Sequence, residues 1–401
     1  MTSIRLWGIA LIAAAVGCSA GPDNKGTGNP GPTGPSGPPT SSDVPTSSSW
    51  YAALDAAAKA EGHHAIEATV TQENIVADQQ GVAKATDPHL LNAWGLAFNP
   101  AGPGWVSSAE NGTSQVYDDA GTLLLEVTIP PANGGMPPSN PTGQVFNNFA
   151  SNAFMGDTFI FVTENGTVAG WQKSNGTTAV LRADNSGSEA IYKGVAIVNP
   201  VSSLGRPALL AANFHGGTVD MFDENYAPMS SLGGFHDPDL PAGFAPFNVF
   251  GIGPIVLVTY ALQDEAGEDD VKGPGNGFVD VFSAEGFFLQ RLISGGHLNS
   301  PWGMVFAPDN DRASIDLAIG NFGDGMINVY NLSLRGMSVD ARWEGAFGDT
   351  NGNPLVIDGL WALVFGSGAS GFEKDEIYFT AGPNDEMNGL FGSLAFQGPR
   401  K

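Results

Sequence analysis

One short stretch decides the fold: Asn92-Ala93-Trp94-Gly95-Leu96-Ala97-Phe98, in which a turn residue precedes an apolar strand. The pattern returns five times, at intervals of about 50 residues. The later copies are Pro141-Thr142-Gly143-Gln144-Val145-Phe146, Tyr192-Lys193-Gly194-Val195-Ala196-Ile197, Pro246-Phe247-Asn248-Val249-Phe250, Ser300-Pro301-Trp302-Gly303-Met304-Val305-Phe306 and Gly359-Leu360-Trp361-Ala362-Leu363-Val364-Phe365. Such a period indicates a repeat architecture whose neighbouring units bury a common core.

Each repeat contains three more strands. One begins at a Gly and alternates apolar and polar residues up to an aromatic, as in Gly217-Thr218-Val219-Asp220-Met221-Phe222. Alternation with a period of two marks a strand with one buried face. Another strand precedes this one, and a last strand follows the aromatic. Four strands in each of six units predict an all-β fold, a six-bladed β-propeller of four-stranded antiparallel blades. Seven blades would be the main competitor, but the sequence contains no seventh match.

The sixth repeat ends near Phe396 after only three strands, whereas a spare strand lies at the other end of the repeats, within residues 66–76. We therefore predict that the last blade is closed by this N-terminal strand. Pairing between the two ends of the repeat region would remove an exposed sheet edge.

The composition excludes several classes of partner. The chain of 401 residues has 16 Lys and Arg against 41 Asp and Glu, which gives a formal net charge of −25. Nucleic acids and anionic lipid surfaces both require clustered basic residues, so neither is an expected partner. The 55 Gly and 28 Pro suit many turns and short strands better than a helical bundle.

The single cysteine, Cys18, follows an apolar run over residues 6–16 that is too short to span a bilayer. The run has the anatomy of a signal peptide, and Ala15-Val16-Gly17-Cys18 resembles a bacterial lipobox. We predict a signal peptide over residues 1–17 and lipidation of Cys18. The alternative is an ordinary signal peptide with a coincidental cysteine. The expected location is the cell envelope, as a lipoprotein on its periplasmic or surface side; otherwise the protein would be secreted.

The chain after the predicted signal peptide divides into three segments. Residues 18–49 are rich in Gly, Pro and Ser and predict a disordered tether behind the lipidated cysteine. Residues 50–65 contain an Ala-rich run that predicts a short helix, ended by Gly62. Residues 66–397 form the predicted propeller.

Candidate binding residues cluster at one end of the predicted propeller. We define the channel face as the end at which the innermost strands begin and at which the second and third strands of each blade are joined. Carboxylate and amide oxygens converging there would suit Ca²⁺ or another divalent cation, although Asn and Asp before Gly also form ordinary turns. The ligand or metal candidates on this face are Asn213, Asn248, Asn299, Asn321, Asp324, Asp358 and Asp385.

No familiar catalytic motif is present, so the catalytic residues are unknown; His215 and Asp264 are weak candidates for a base. Three tryptophans, Trp94, Trp302 and Trp361, recur at one register of the repeat. They indicate either packing within the repeats or an aromatic wall around the channel mouth.

Several blocks together resemble a family of secreted bacterial proteins known only as conserved hypothetical, with an NHL/TolB-like six-bladed propeller. The resemblance covers roughly residues 74–394. The blocks include Asn213-Phe214-His215-Gly216-Gly217-Thr218-Val219-Asp220-Met221-Phe222, Leu298-Asn299-Ser300-Pro301-Trp302-Gly303 and Ile357-Asp358-Gly359-Leu360-Trp361. The resemblance implies the propeller fold and export, and it implies no established activity.

A looser resemblance is to propeller lactonases of the gluconolactonase and paraoxonase type, which hold a divalent cation in the channel. Asp358-Gly359-Leu360 resembles their metal-binding turn, and Asn248 stands where their Asn ligands enter an innermost strand. The Glu that this family supplies from its first blade has no clear counterpart here.

Two functions remain open at this point. The first is an exported, lipid-anchored propeller, expected to be a monomer, that binds a ligand, a glycan or a protein on its acidic channel face. The alternative is a metal-dependent hydrolase of lactones or other esters, with Asp358 and Asn248 as ligands and His215 or Asp264 as base. No cofactor is required by the first hypothesis, and the protein contacts the membrane only through its lipid.

Overall fold

Six antiparallel sheets make up the fold in the computed structural model, which describes residues 44–61, 63, 65–100, 102–198, 205–309 and 314–397. Before the first blade come one helix and two strands, α1 (Ser47–Glu61), β1 (Val70–Ala77) and β2 (Ala85–Thr86). The six-bladed β-propeller that the repeat predicts is confirmed.

Blades 1 to 3 follow in chain order, each with its innermost strand first. Their strands are β3 (Ala93–Phe98), β4 (Gly104–Ser108), β5 (Thr113–Tyr117), β6 (Leu123–Thr128), β7 (Pro141–Phe146), β8 (Phe159–Thr163), β9 (Thr167–Trp171), β10 (Val180–Asp184), β11 (Tyr192–Val198), β12 (Ala208–Asn213), β13 (Thr218–Phe222) and β14 (Pro228–Met229). Short 3₁₀ turns lie at Phe154–Gly156, Lys173–Asn175 and Ser186–Ser188.

Blades 4 and 5 repeat this order, and blade 6 takes its outer strands from the beginning of the chain. The remaining strands are β15 (Phe244–Ile252), β16 (Ile255–Leu262), β17 (Phe278–Ser283), β18 (Phe288–Ser294), β19 (Pro301–Asp309), β20 (Ser314–Asn321), β21 (Ile327–Arg335), β22 (Ser338–Ala346), β23 (Leu360–Phe365), β24 (Glu376–Ala381) and β25 (Leu390–Phe396).

The N-terminal strand closes the ring, as predicted. β1 pairs antiparallel with β25, from Val70 opposite Phe396 to Ala77 opposite Leu390. β2 adds a short parallel strand outside β1. The side chain of Asp78 extends the seam, because its two carboxylate oxygens accept hydrogen bonds from Asn388 Nδ2 at 2.7 Å and from the Gly389 amide at 3.0 Å.

The glycines of the repeat mark the narrowest part of the channel, where neighbouring innermost strands touch. A Cβ on Gly95 would lie 2.4 Å from the Thr142 carbonyl oxygen, and one on Gly194 would lie 2.1 Å from Asn248 Oδ1. A larger residue therefore cannot stand at either position without moving the next blade. The channel at this level encloses only about 60 Å³.

Helix α1 packs on blades 4 and 5 through one apolar stripe. Trp50, Leu54 and Ala58 are buried at a helical spacing of four residues. The Tyr51 hydroxyl donates a hydrogen bond to the Leu332 carbonyl at 2.9 Å. Among the helices that the structure describes, none is long and apolar enough to cross a membrane.

A buried ion pair joins the outermost strand of blade 2, β10, to the turn before its second strand, β8. Arg182 donates from Nε and Nη2 to the two carboxylate oxygens of Asp157, each at 2.7 Å. The Tyr226 hydroxyl donates to Asp157 Oδ2 at 2.8 Å. The Asp157 side chain is 0 % exposed, so these donors supply the hydrogen bonds that water would otherwise provide.

Blade 4 contains a second buried ionisable cluster, made of Asp237, Asp280, Arg291 and Tyr260. Arg291 donates to Asp237, while its Nε lies 3.6 Å from Asp280 Oδ1. Neither Asp280 oxygen nor the Tyr260 hydroxyl has a hydrogen-bond partner among the described residues. Burial, together with the neighbouring Asp237, raises the pKa of Asp280 to about 8.

Candidate functional site

The channel face is built on six equivalent positions, one from the start of each innermost strand. These positions directly precede the narrow ring of the channel, and their side chains line or fill its mouth. They are Trp94, Thr142, Lys193, Phe247, Trp302 and Trp361. Four of the six are aromatic, so the channel is plugged by rings.

The rings form a stack across the blades. Trp94 lies parallel to Trp361, with centroids 3.7 Å apart, and Trp361 lies parallel to Phe322 at 3.9 Å. Trp302 meets both Trp94 and Trp361 edge-on. The three tryptophans therefore pack against one another inside the channel. Their packing crosses from blade to blade. They do not form an exposed wall around the channel mouth, because each of them is at most 5 % exposed.

Lys193 is the one charged residue among the six equivalent positions, and its side chain is only 2 % exposed. Its Nζ donates to Glu164 Oε1 at 2.5 Å and lies 3.4 Å from Asp269 Oδ1. The same ammonium lies 5.2 Å from the centroid of Trp94 and 5.8 Å from that of Phe214. An acidic and aromatic cage of this kind is suited to an ammonium group.

The carboxylates that act on Lys193 come from three different blades. Glu164 belongs to blade 2, Asp269 and Asp270 to blade 4, and Glu386 to blade 6. Glu110, of blade 1, acts on Glu164. Each stands in a loop between the second and third strands of its blade. One lysine therefore faces several negative groups, and the surroundings have an excess of negative charge.

This excess changes the ionisation of the site. Burial opposes the charge on Lys193, but Glu164 and Asp269 outweigh it and raise the pKa of the ammonium above its ordinary value. Burial and the nearby Glu164 raise the pKa of Glu386 to about 8. The pKa of Glu110 is also raised, by partial burial and by Glu164. A carboxyl with a pKa near 8, such as Glu386, would release its proton when a cation binds beside it.

Asp270 is near enough to Lys193 and Lys272 for both ammonium groups to act on its carboxyl. Burial raises its pKa, while the Ser300 hydroxyl and the two lysines oppose that effect. Asp270 Oδ2 and Ser300 Oγ are both buried and have no hydrogen-bond partner within the described residues. Buried polar atoms without a partner are costly.

An unusual backbone turn carries Glu386. The residues Asn384, Asp385 and Glu386 are all left-handed, with φ of 60°, 51° and 65°. Residues other than Gly adopt this conformation at a cost of about 1–2 kcal/mol each. The turn is held by the Asp358 carboxylate, which accepts the Asn384 amide at 2.8 Å, and by the Glu386 amide bonded to the Gly382 carbonyl.

Three of the sequence candidates come together on blades 4 and 5. Asn299 Nδ2 lies 3.3 Å from Asp324 Oδ2, and Asn321 Nδ2 lies 3.1 Å from Asp324 Oδ1. Asn299 Oδ1 also accepts the Gly273 amide at 2.7 Å. These side chains hold loops of the channel face in place.

The side chains of two other candidate residues form hydrogen bonds with the backbone. Asn213 Oδ1 accepts the Gly216 amide at 3.0 Å, which closes the loop of blade 3. Asn248 lies deeper, in the narrow ring, where its Nδ2 donates to the Trp302 carbonyl at 2.8 Å and its Oδ1 accepts the Val249 amide. Asn248 and Asp358 therefore use their oxygens on backbone amides.

The two weak catalytic candidates lie in adjoining loops. Backbone amides, that of Glu268 foremost, lower the pKa of Asp264, so this carboxylate caps its own turn. His215 lies beside Gly267 of the same acidic loop, and its Nδ1 is buried without a partner among the described residues. Asp385 is exposed in the left-handed turn, and Cys18 lies outside the described residues.

A conventional metal centre is not assembled by the part of the chain that the structure describes. No group of three or more His, Cys, Asp or Glu side chains there could hold a metal ion. The acidic face instead combines carboxylates with amide oxygens, an ammonium group and aromatic rings.

The other end of the channel has a different character. It opens into a cavity of about 650 Å³ lined by apolar side chains, among them Phe98, Phe146, Phe250, Phe306 and Phe365. Lys374 is exposed at its rim, and no carboxylate belongs to the described lining. Within the described lining of the channel, carboxylates therefore belong to the channel face.

Sequence reasoning did not single out Lys193, Glu164, Asp269, Asp270 or Glu386. A signal was available, because a lysine stands at a position that is aromatic in four of the six repeats. The chain has only 16 basic residues, so a lysine at a channel position is conspicuous.

Two proteins of Acanthamoeba polyphaga mimivirus are similar to this chain over most of its length. Uncharacterized protein R648 is 30% identical over 336 residues, which cover 80% of this chain and 78% of the relative. Uncharacterized protein L690 is 30% identical over 337 residues, which cover 80% of this chain and 84% of the relative. The chain belongs to the family of these mimivirus proteins. The resemblance to a bacterial family stays a prediction, since both mimivirus relatives are viral.

Solved structures with a similar shape have varied activities. A streptogramin B lyase has a TM-score of 0.44 at 12% identity and covers 82% of this chain and 99% of its own. The aldose sugar dehydrogenase of Streptomyces coelicolor with bound PQQ has a TM-score of 0.45 at 12% identity, with the same coverage. A glucose dehydrogenase-like oxidoreductase of Thermus has a TM-score of 0.46 at 12% identity and covers 81% and 99%. Their activities are properties of those proteins. No family model matches the chain.

Proposed function

We propose that this protein is an exported, lipid-anchored binding propeller whose acidic channel face takes a cationic ligand. The observation that supports the proposal is the convergence on Lys193 of carboxylates from three blades. Lys193 offsets part of their charge, but Asp270, Glu110 and Glu386 have raised pKa values. Burial is the main cause of these raised pKa values, and neighbouring carboxylates add to it; a cation placed among the carboxylates would favour their ionised forms.

The aromatic plug favours an organic cation. Trp94 and Phe214 already accept the Lys193 ammonium against their faces, and such contacts gain strength when water is excluded. The narrow ring below the plug leaves about 60 Å³, so a ligand would bind at the mouth and would not pass through the channel. The hydrolase alternative gains no comparable support, because Asn248 and Asp358 are engaged with backbone amides.

The binding proposal can be tested by titrating the full chain with spermidine, a flexible organic trication, and following tryptophan fluorescence and heat of binding. We expect binding that weakens with salt, because exposed charges are screened. Glu164→Gln and Glu386→Gln should each weaken it by about tenfold, the equivalent of one charge-assisted contact of about 1.4 kcal/mol.

Glu67→Gln is the matched control, since Glu67 is exposed and lies just before Val70, which pairs with Phe396 at the end of β25 away from the channel face. It removes the same charge from the opposite end of the propeller and should leave the affinity unchanged. Absence of spermidine binding, or equal losses in all three variants, would contradict the proposal.

The anchor requires a separate test. In a bacterial host, the full chain should incorporate a labelled fatty acid and sediment with membranes. The Cys18→Ser variant should lose the label and appear in the soluble fraction. Labelling that persists in Cys18→Ser, or the absence of labelling in the unaltered chain, would contradict lipidation at this cysteine.

A further inference from the structure

A ring of six apolar side chains surrounds the channel at the end opposite the channel face. The innermost strand of each blade contributes one of them near the end of the strand, and together they are Phe98, Phe146, Ile197, Phe250, Phe306 and Phe365. None of the six is fully buried, so each leaves apolar surface in contact with open space. The repeat therefore supplies every blade with an apolar group at this level of the channel.

These side chains line the cavity of about 650 Å³ at this end, which we call the exit cavity. Phe250, Leu363 and Val364 border both the exit cavity and the narrow ring of about 60 Å³, so the two spaces adjoin. On the outer side, the last turn of α1 borders the exit cavity through Ala57 and Ala60. Concave apolar spaces of this size with few polar groups are the usual sites of small molecules.

The described lining of the exit cavity includes one ammonium group, that of the exposed Lys374 at the rim, and no carboxylate. Glu373 and Asp375 flank Lys374 in sequence, but neither belongs to this lining. The ion pairs of the described lysines do not include Lys374; they are formed by Lys59, Lys84 and Lys193. His63 fixes the backbone at the rim, since its ring stacks on Phe365 at 3.9 Å and its Nδ1 lies 3.0 Å from the Lys374 carbonyl oxygen. In a chain with 41 Asp and Glu, an opening of this kind is suited to an anionic group.

We propose that the exit cavity binds a long-chain carboxylic acid, whose hydrocarbon chain packs on the ring of six apolar side chains and whose carboxylate meets Lys374. Burial of the chain supplies most of the affinity, because every CH₂ group removed from water adds to it. The carboxylate stays at the rim, where water and the ammonium group satisfy its oxygens. This site lies at the opposite end of the propeller from the proposed cation site and goes beyond the proposed function. Its test stands whether or not spermidine binds.

The test measures the heat of binding of octanoate, decanoate and dodecanoate to the full chain. The chain carries Cys18→Ser, so that no acyl chain of its own competes for the cavity. Successive probes differ by two CH₂ groups, and we expect the affinity to rise by up to about fifteenfold at each step. Absence of binding, or equal affinities for the three acids, would overturn the inference.

Ala60→Phe tests the place of binding. Ala60 is exposed and borders the exit cavity from α1, so a ring at this position narrows the opening without disturbing the core. We expect dodecanoate to bind at least about tenfold more weakly, the equivalent of two CH₂ groups kept in water. Ala52→Phe is the matched control, because it makes the same change at an exposed position of α1 outside the described lining, and it should leave the affinity unchanged. Equal affinities in the two variants would place the chain elsewhere and contradict the inference.

Lys374→Ala tests the charged end of the ligand. Decanoate should bind about three- to fivefold more weakly to this variant, the size of one solvent-exposed ion pair, whereas 1-decanol, which has the same chain and no charge, should bind as before. Lys173→Ala is the matched control, because it removes an exposed lysine from the turn after β9, at the same end of the propeller and outside the described lining.

Two results would refute the assignment of a carboxylic acid. The first is an equal loss of affinity for decanoate and 1-decanol in Lys374→Ala, or an equal loss for decanoate in Lys374→Ala and Lys173→Ala. The second is binding of neutral phospholipid vesicles without binding of decanoate, which would indicate a membrane surface as the occupant.

Discussion

Asp280 should make the folded protein less stable as the pH rises. Its carboxyl is 0 % exposed, and its pKa is about 8 in the fold against an ordinary value of 3.8. Between these values the unfolded chain has released a proton that the folded chain keeps. The free energy of unfolding therefore falls as pH rises through this window, by up to about 1.4 kcal/mol for each pH unit.

Replacing Asp280 by Asn removes this effect. Near pH 4 the variant and the unaltered protein should have similar stability, and by pH 8 to 9 the variant should be more stable. The loss that Asp280 imposes across the window is of the order of 5 kcal/mol, reduced by any relaxation around the ionised group. Asp237 keeps its partner in the variant, because Arg291 still donates to it.

Urea unfolding followed by tryptophan fluorescence, repeated from pH 4 to pH 9, measures the difference. Urea is uncharged and leaves the ion pairs unscreened. Glu386 titrates in the same direction, but it is present in both proteins and cancels in the comparison. Asp340→Asn is the matched control, because it makes the same substitution at an exposed carboxylate that pairs with Arg335. A difference between Asp280→Asn and the unaltered protein that does not grow with pH would refute the reasoning.

Three further predictions concern stability and use the same urea assay. Gly194→Ala should destabilise the protein by about 2–3 kcal/mol, because its Cβ would lie 2.1 Å from Asn248 Oδ1, whereas Gly187→Ala, with open space around it, should change little. Arg182→Ala should cost about 3–5 kcal/mol, since it leaves the buried Asp157 carboxylate without its cation; a loss below 1 kcal/mol would contradict the role assigned to the pair. Asp385→Gly should stabilise the protein by about 1 kcal/mol, because Gly adopts a φ of 51° without strain, and a loss of stability would show that the Asp385 side chain has a role of its own.

The architecture could be predicted because the sequence pattern that specifies it is local and is repeated. Six copies of one strand pattern give the number of blades, and a missing strand at one end with a spare at the other gives the closure. From its position at the start of a strand, the glycine of the repeat would be taken for a turn residue. The structure gives a different reason for a glycine there. It permits contact with the next blade, as Gly95 does with Thr142.

The site could be predicted only in outline. Turn chemistry drew attention to Asn213, Asn299, Asn321 and Asp324, and in the structure these side chains hold loops together. The cage around Lys193 joins residues that are far apart in sequence, and nothing in the local pattern of Glu164 or Asp269 shows that they share a lysine. Only the circular arrangement of the blades brings them together.

The pairing of β1 with β25 has a consequence for how the protein is made. Asp78 binds the Gly389 amide across 311 residues of sequence, so the ring cannot close until almost the whole chain has left the ribosome. Until then five blades stand beside an incomplete sixth, with the hydrogen-bonding edge of β1 unpaired. Contacts between distant residues form slowly, and a waiting strand edge can pair with another chain. The incomplete ring is therefore the state in which this chain is most exposed to pairing with another chain.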